Sequence, residues 1–177
     1  MSVAYFEALN RELIQAGTGQ AQLLLDLDRL DANLAALQAQ LNAQCQMRIV
    51  VKSLASPELL QYISQRLPSQ RFMLFHFPHL KQIQTLFPQG DILLGKPMPI
   101  QALQRSDQQL FESQNIQWLI DSVERLNQYL QFAQSRQIQL RVSLEIDIGL
   151  HRGGFADETN FAQALALIQA NAPYLKL

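Results

Sequence analysis

The sequence predicts an α/β domain on a parallel sheet, of the (β/α)8 TIM-type barrel class, with the 177 residues making up only its N-terminal two-thirds. Three observations lead there. Short apolar runs rich in Val, Ile and Leu alternate with amphipathic stretches of about a dozen residues, the rhythm of βα units joined by right-handed crossovers. Helix-start residues follow the strand candidates directly, Ser56-Pro57-Glu58 being the clearest. Charged residues stand at the exits of apolar strands, Lys52 after Ile49-Val50-Val51 foremost, and strand exits are where parallel barrels do chemistry. A closed barrel takes ~250 residues. The alternative is a complete doubly wound open sheet, which this length would fill.

In order, residues 3–16 read as an amphipathic helix with Phe6, Leu9 and Leu13 on one stripe, broken by Gly17-Thr18-Gly19. Residues 23–25 are a short strand candidate. Asp26 or Asp28 then caps a helix carrying Leu30, Leu34, Leu37 and Leu41. Residues 47–53 form a strand, and Ser56 caps the next helix with Pro57 at its first position, where a missing N–H costs nothing. Residues 71–77 are a strand ended by Pro78, followed by a short helix at 79–87. A strand at 91–95, a polar helix near 101–112 and a strand at 116–120 come next. Asp121 to Glu124 matches a capping box ahead of Val123, Leu126, Leu130 and Ala133. A long strand at 138–148, a glycine-rich loop, a helix at 159–172 and the start of a strand at 174–177 complete the chain.

Composition narrows the class of function. A hydrophobic content of 48%, 16% charged residues and a net charge of -1 fit a globular enzyme and give no electrostatic case for nucleic acid or membrane. No apolar run approaches the ~20 residues of a membrane span, and the first residues lack the pattern of a signal peptide. A cytoplasmic location is expected. The single Cys45 allows no internal disulfide and is expected in the core or at a helix end.

Lys52 leads the candidate site. A lysine at the exit of an apolar strand either finds a partner, snorkels to solvent, or serves as the amine that aldehyde chemistry needs. Lys96 competes from an equivalent position. The second constellation is residues 141–155, RVSLEIDIGLHRGGF. Its period of two sends Val142, Leu144, Ile146 and Ile148 one way and Arg141, Ser143, Glu145 and Asp147 the other. The polar row would line a barrel interior, where Lys52, Arg141 and Arg152 are the available partners. Gly149 and Gly153-Gly154 allow close backbone approach around Arg152. His151 is a pocket or loop residue, and His76 and His79 lack the spacing and the carboxylate of a metal site.

These stretches together resemble the N-terminal barrel domain of the alanine racemase superfamily, the fold-type III pyridoxal-phosphate enzymes, and within it the D-threonine aldolase and D-serine dehydratase branch. RIVVKSLASPEL (48–59) falls on a strand that the branch writes R-P-H-x-K-T-H-K-x-P-E-L, matching at Arg48, Lys52, Pro57, Glu58 and Leu59. SLEIDIGLHRGGF (143–155) is similar to E-V/I-D-x-G-x-x-R-x-G. LLLDLDRLDANLAAL (23–37) is similar to the branch's first strand and helix. The resemblance implies a barrel domain at residues 22–177, after an N-terminal helix and linker at 1–21. It implies pyridoxal 5′-phosphate on Lys52 through a Schiff base, with Arg152 at the cofactor's phenolic oxygen and Glu145 and His151 nearby. It implies an amino-acid lyase or isomerase (an aldolase or racemase acting at Cα), a homodimer, and a divalent metal, if used, with ligands outside this chain. Val50, Leu54 and Ala55 replace two histidines and a second lysine of the family strand, which leaves the reaction open. A non-catalytic pyridoxal-phosphate carrier, an inactive truncated product and an unrelated cofactor-free α/β domain stand as alternatives.

Overall fold

Six parallel strands cross one sheet in chain order: β1 (Ile49–Val51), β2 (Arg71–Leu74), β3 (Asp91–Leu94), β4 (Ile116–Ile120), β5 (Leu140–Leu144) and β6 (Leu175–Lys176). They come from a computed structural model that describes residues 2–177. The strand order never reverses, so the sheet has no switch point and the doubly wound alternative falls. Successive neighbours are the mark of a barrel wall.

The chain divides into two units, residues 1–37 and 38–177. In the first, α1 (Val3–Ala16) buries none of its residues. Tyr5 donates its hydroxyl hydrogen to Asp26 Oδ2 at 2.8 Å, and Asp26 Oδ1 accepts the Arg29 N–H at 3.0 Å, capping α2 (Leu27–Gln40). The Arg29 guanidinium lies 3.8 Å over the Tyr5 ring. The strand expected at 23–25 does not form; its leucines are 83%, 48% and 49% exposed. Three residues cannot hold a strand without a neighbouring ladder to take their hydrogen bonds.

The second unit holds the sheet, α3 (Pro57–Arg66), α4 (Phe77–Leu86), α5 (Ile100–Gln104), α6 (Gln109–Glu112), α7 (Val123–Arg136) and α8 (Glu158–Ala170). Its core lies between the outer face of the sheet and these helices. Alternate strand residues supply it, Ile49 and Val51, Phe72 and Leu74, Ile92 and Leu94, Trp118 and Ile120, Leu140 and Val142. Leu60, Leu80, Ile83, Leu126 and Ile168 answer from the helices. Tyr129 is buried there; its hydroxyl accepts the Met98 N–H and donates to the Met98 carbonyl, both at 3.0 Å, and burial pushes its pKa up to about 12.

Several boundaries move, each for a local reason. Ser56 caps α3 with Pro57 in the first turn, as expected. Pro78 starts α4 instead of following a strand, because proline fits the first helical turn. The polar helix near 101–112 is two short helices, which bury Leu103, Leu110 and Phe111. Ser122, not Asp121, caps α7 by accepting the Arg125 N–H at 3.2 Å, so the expected box is one residue out of register. Cys45 is exposed, against expectation. The strand expected at 138–148 ends at Leu144, and Ile146 and Ile148 are 54% and 92% exposed.

Candidate active site at the strand exits

The inner face of the sheet has two chemically different ends. At the N-terminal end, the Asp91 carboxylate accepts from Arg48 at 2.8 Å, Arg71 at 3.1 Å and Gln117 at 2.6 Å. Arg48 also donates to the carbonyls of Phe72 and Asp91, so one side chain ties the start of β1 to the next two strands. Charge pairing on the inner face therefore centres on Asp91, and the expected pairing of Lys52, Arg141 and Arg152 with the row from β5 is not formed.

At the C-terminal end Lys52 and Arg152 are uncommitted among the described residues. Lys52 follows β1 and is exposed, as a strand-end lysine that reaches solvent would be. Its Nζ lies 5.3 Å from the centroid of the Phe75 ring, and among the described residues it has no hydrogen bond or ion pair. Phe75 lies across the exit of β3, where a Cβ on Gly95 would stand 2.6 Å from the ring's Cζ and 2.8 Å from Met73 Cε. A larger residue at 95 would have to displace the ring that Lys52 overlies. Lys96, the competing lysine, is next to it and is exposed like Lys52.

Beyond β5 the chain turns back on itself. Phe155 donates its N–H to the Glu145 carbonyl at 2.8 Å and accepts the Asp147 N–H at 3.0 Å, closing the bridge between Ile146 and Phe155. These bonds use the groups that a longer β5 would have spent on a ladder. Gly154 sits at φ +96°, and a Cβ there would meet Glu145 Cγ and its carbonyl oxygen at 2.9 Å. The double glycine therefore lies directly on Glu145. Arg152, in the same turn, is exposed and unpaired among the described residues.

Asp147 has a role that the alternating pattern did not suggest. Its Oδ1 accepts the N–H groups of Gly149 at 3.0 Å and His151 at 2.9 Å, and its Oδ2 is 2.9 Å from His151 Nδ1. The backbone N–H groups of His151 and Gly149 hold its carboxyl below the usual carboxylate range, with the imidazole adding to this. An acidic residue two and four positions before glycine and histidine was the available signal. Of the other histidines, His76 is exposed at the start of α4 without a side-chain capping bond, and His79 has a buried Nδ1 without a partner. No group of three or more His, Cys, Asp or Glu able to hold a metal occurs among the described residues.

The exit of β1 thus carries an unpaired amine, and the turn after β5 carries a guanidinium, a carboxylate under a glycine pair and a carboxylate-bound imidazole. A cavity of about 560 Å³ lies elsewhere, between α4 and α6, lined by Lys81, Gln84, Thr85 and Asp107. None of the candidate side chains lines it, so its size has no bearing on this site. No helix among the described residues is long and apolar enough to cross a membrane.

Solved structures share this architecture. A D-threo-3-hydroxyaspartate dehydratase from Delftia sp. HT23 superposes with a TM-score of 0.71 at 23% identity, over 86% of this chain and 40% of its own. A histidine racemase from Leuconostoc mesenteroides subsp. sake gives 0.68 at 20%, over 84% and 39%. An alanine racemase from E. faecalis gives 0.69 at 19%, over 86% and 41%. At these identities the likeness is one of fold, and the chain spans about two-fifths of the length of each structure. No curated protein sequence matches it. The family model of the alanine racemase N-terminal domain matches residues 25–177, all of the sheet and every strand exit described above, and the chain belongs to that family.

Proposed function

We propose that this chain is the cofactor-bearing barrel of a pyridoxal-phosphate enzyme acting at Cα of an amino acid, an aldolase or racemase of the D-threonine aldolase and D-serine dehydratase type. The observation that carries the reading is Lys52, an exposed amine with no hydrogen bond or ion pair among the described residues, at the exit of β1 in a chain of this family. The side chains present suit the group. An amine, a guanidinium and an imidazole at one end of the sheet match an anionic aldehyde by the chemistry of their donors. When bound, pyridoxal phosphate supplies an aldehyde that condenses with amines and a ring that withdraws the electron pair left at Cα.

The residues of the chain do the rest. Lys52 Nζ is the nucleophile that anchors the cofactor and, once released, a base for a proton at Cα. Arg152 would hold the cofactor by donating to its phenolic oxygen. Glu145, against Gly153-Gly154, is the carboxylate assigned to balance the cations. His151, exposed on the turn after β5, is assigned to the cofactor's surroundings in the same proposal. A homodimer and a small amino-acid substrate belong to the same proposal. A carrier of pyridoxal phosphate without turnover is the second reading, favoured by apolar Val50, Leu54 and Ala55 where the family strand holds histidines and a lysine.

Borohydride reduction of the protein mixed with pyridoxal phosphate, followed by peptide mapping, tests the anchor. We expect a pyridoxyl group on the peptide containing Lys52 and its loss in Lys52→Ala. Labelling at Lys96 instead, or equal labelling of many surface lysines, would sink the assignment. Labelling at Lys52 without turnover of either enantiomer of any amino acid would favour the carrier.

A further inference from the structure

The inner face of the sheet carries a polar row near the strand starts, and the row holds more cations than the Asp91 network uses. Arg48, Arg71 and Asp91 stand at the starts of β1, β2 and β3, and Gln117, Arg141 and Lys176 continue the row on β4, β5 and β6. They alternate with residues of the outer core such as Phe72, Ile92, Trp118, Val142 and Leu175, so the row faces the other side of the sheet. Gln117 pairs in register with Arg141, and Arg141 with Lys176. Arg48, Arg71, Arg141 and Lys176 are thus set against Asp91 alone.

That acid is fully used. Asp91 Oδ2 accepts from Arg48 at 2.8 Å and Arg71 at 3.1 Å, and Oδ1 accepts from Gln117 at 2.6 Å. Arg141 is half-buried and Lys176 exposed, and neither side chain has a hydrogen bond or ion pair among the described residues. The next acid along the chain from Arg141 is Glu145, about 13 Å away along an extended strand, and it lies against Gly153-Gly154. Neighbouring strands lie about 4.8 Å apart, so a guanidinium and an ammonium project side by side with no carboxylate of the described residues between them. Like charges facing across strands repel. Because β6 is only Leu175–Lys176, that repulsion falls on one of its two register pairs with β5.

We propose that Arg141 and Lys176 form a binding site for a small, doubly charged oxyanion, phosphate or a dicarboxylate, at the starts of β5 and β6. Arg141 offers a planar fork that matches two oxygens, and Lys176 adds a point charge from the adjoining strand. The bound anion neutralises the repulsion across the β5–β6 pair and holds the two-residue strand to the sheet. The site lies at the end of the sheet away from Lys52, and it stands or falls independently of the cofactor reading.

The test titrates the full chain at neutral pH with inorganic phosphate and, separately, with succinate, against sodium chloride at matched ionic strength. Nitrogen-15 NMR follows the amides of Arg141 and Lys176 and the Arg141 side-chain Nε–H. Saturable shifts with phosphate or succinate and none with chloride are expected, and the tighter of the two names the class of anion. Arg141→Gln and Lys176→Gln are each expected to weaken binding about tenfold or more, with the amides of β1 and β2 at wild-type positions as the check on folding. Arg141→Lys keeps the charge and loses the fork, and is expected to keep the sheet and weaken binding by a smaller factor. A response to chloride equal to that with phosphate is screening alone and overturns the site. Saturation that is unchanged in both glutamine variants places the anion elsewhere and overturns it as well. Movement of the same amides on simple dilution, with a halving of the mass by light scattering, puts carboxylates of a second copy on the row and also overturns it.

Discussion

The two ends of the inner face are built from the same residue types and put them to opposite uses. At the strand starts, Arg48, Arg71 and Gln117 all spend their donors on one carboxylate, Asp91. At the strand exits, Lys52 and Arg152 keep theirs free and Glu145 has no side-chain partner among the described residues. A satisfied network stabilises and is inert; unspent charges contribute little to stability and are available to a ligand. In parallel barrels the starts of strands hold the wall and the exits do the chemistry, and this sheet keeps that division in its hydrogen bonds.

The largest expected effect breaks the inert end. Asp91→Ala leaves two guanidiniums and an amide facing one another without their acceptor. The side chains of Arg48 and Asp91 are only 23% and 25% exposed, so solvent compensates in part. We expect a loss of about 3 kcal/mol in urea unfolding, below the full cost of breaking a wholly buried pair. Lys52→Ala in the same assay is expected to stay within about 0.5 kcal/mol of wild type. If Lys52→Ala destabilised as much as Asp91→Ala, the division between the two ends would be wrong.

Gly154→Ala is the next step down and probes the active end through its backbone. A Cβ at φ +96° is strained in itself, and it would press on the Glu145 carbonyl oxygen and the Asp147 nitrogen, neither of which yields easily. The expected cost is about 2 kcal/mol, with the pyridoxyl label on Lys52 retained because β1 is untouched. Loss of the label would mean that the turn after β5 shapes the amine's surroundings more directly than the sheet order implies.

Much of this comparison could be read from the residues in order, and its gaps have identifiable causes. Lys52 was legible because an apolar strand ending in lysine is a local pattern, and the parallel wall because βα alternation is periodic. The polar network was not legible. Arg48, Arg71, Asp91 and Gln117 each stand at or within one residue of a strand start, but only the register, with Arg71 beside Asp91, brings them to one carboxylate. The end of β5 was misread for a related reason. Alternation continues to Ile148, yet Phe155 returns from ten residues beyond Glu145 to take its hydrogen bonds. A period of two reports which residues could share a face and says nothing about which partner closes the ladder. Asp147 and His151 lie past that closure, in a turn set by left-handed residues at 149, 151 and 154, so their pairing had no periodic trace.

The smallest expected effect is a titration, and it asks whether Asp147 holds the turn from which Arg152 and His151 project. Its carboxyl sits below the usual carboxylate range, chiefly because the His151 and Gly149 N–H groups bond the ionised form. A depressed folded value gives a definite sign. The stabilisation is fully present above the ordinary aspartate range and falls progressively as pH drops from that range to the lower, folded value, while the folded carboxyl itself stays ionised until that lower value is reached. Amide proton shifts of Gly149 and His151, followed by NMR from neutral to acid pH, are therefore expected to hold steady past the midpoint of an unstructured aspartate and to move together below it. In Asp147→Asn both amides are expected to lose that transition, while the amides of β1 and β2 keep their wild-type profiles. Independent movement of the two amides, or a midpoint at the unstructured value, would show that Asp147 is not the common acceptor. The turn would then owe its form to the Phe155 bridge alone.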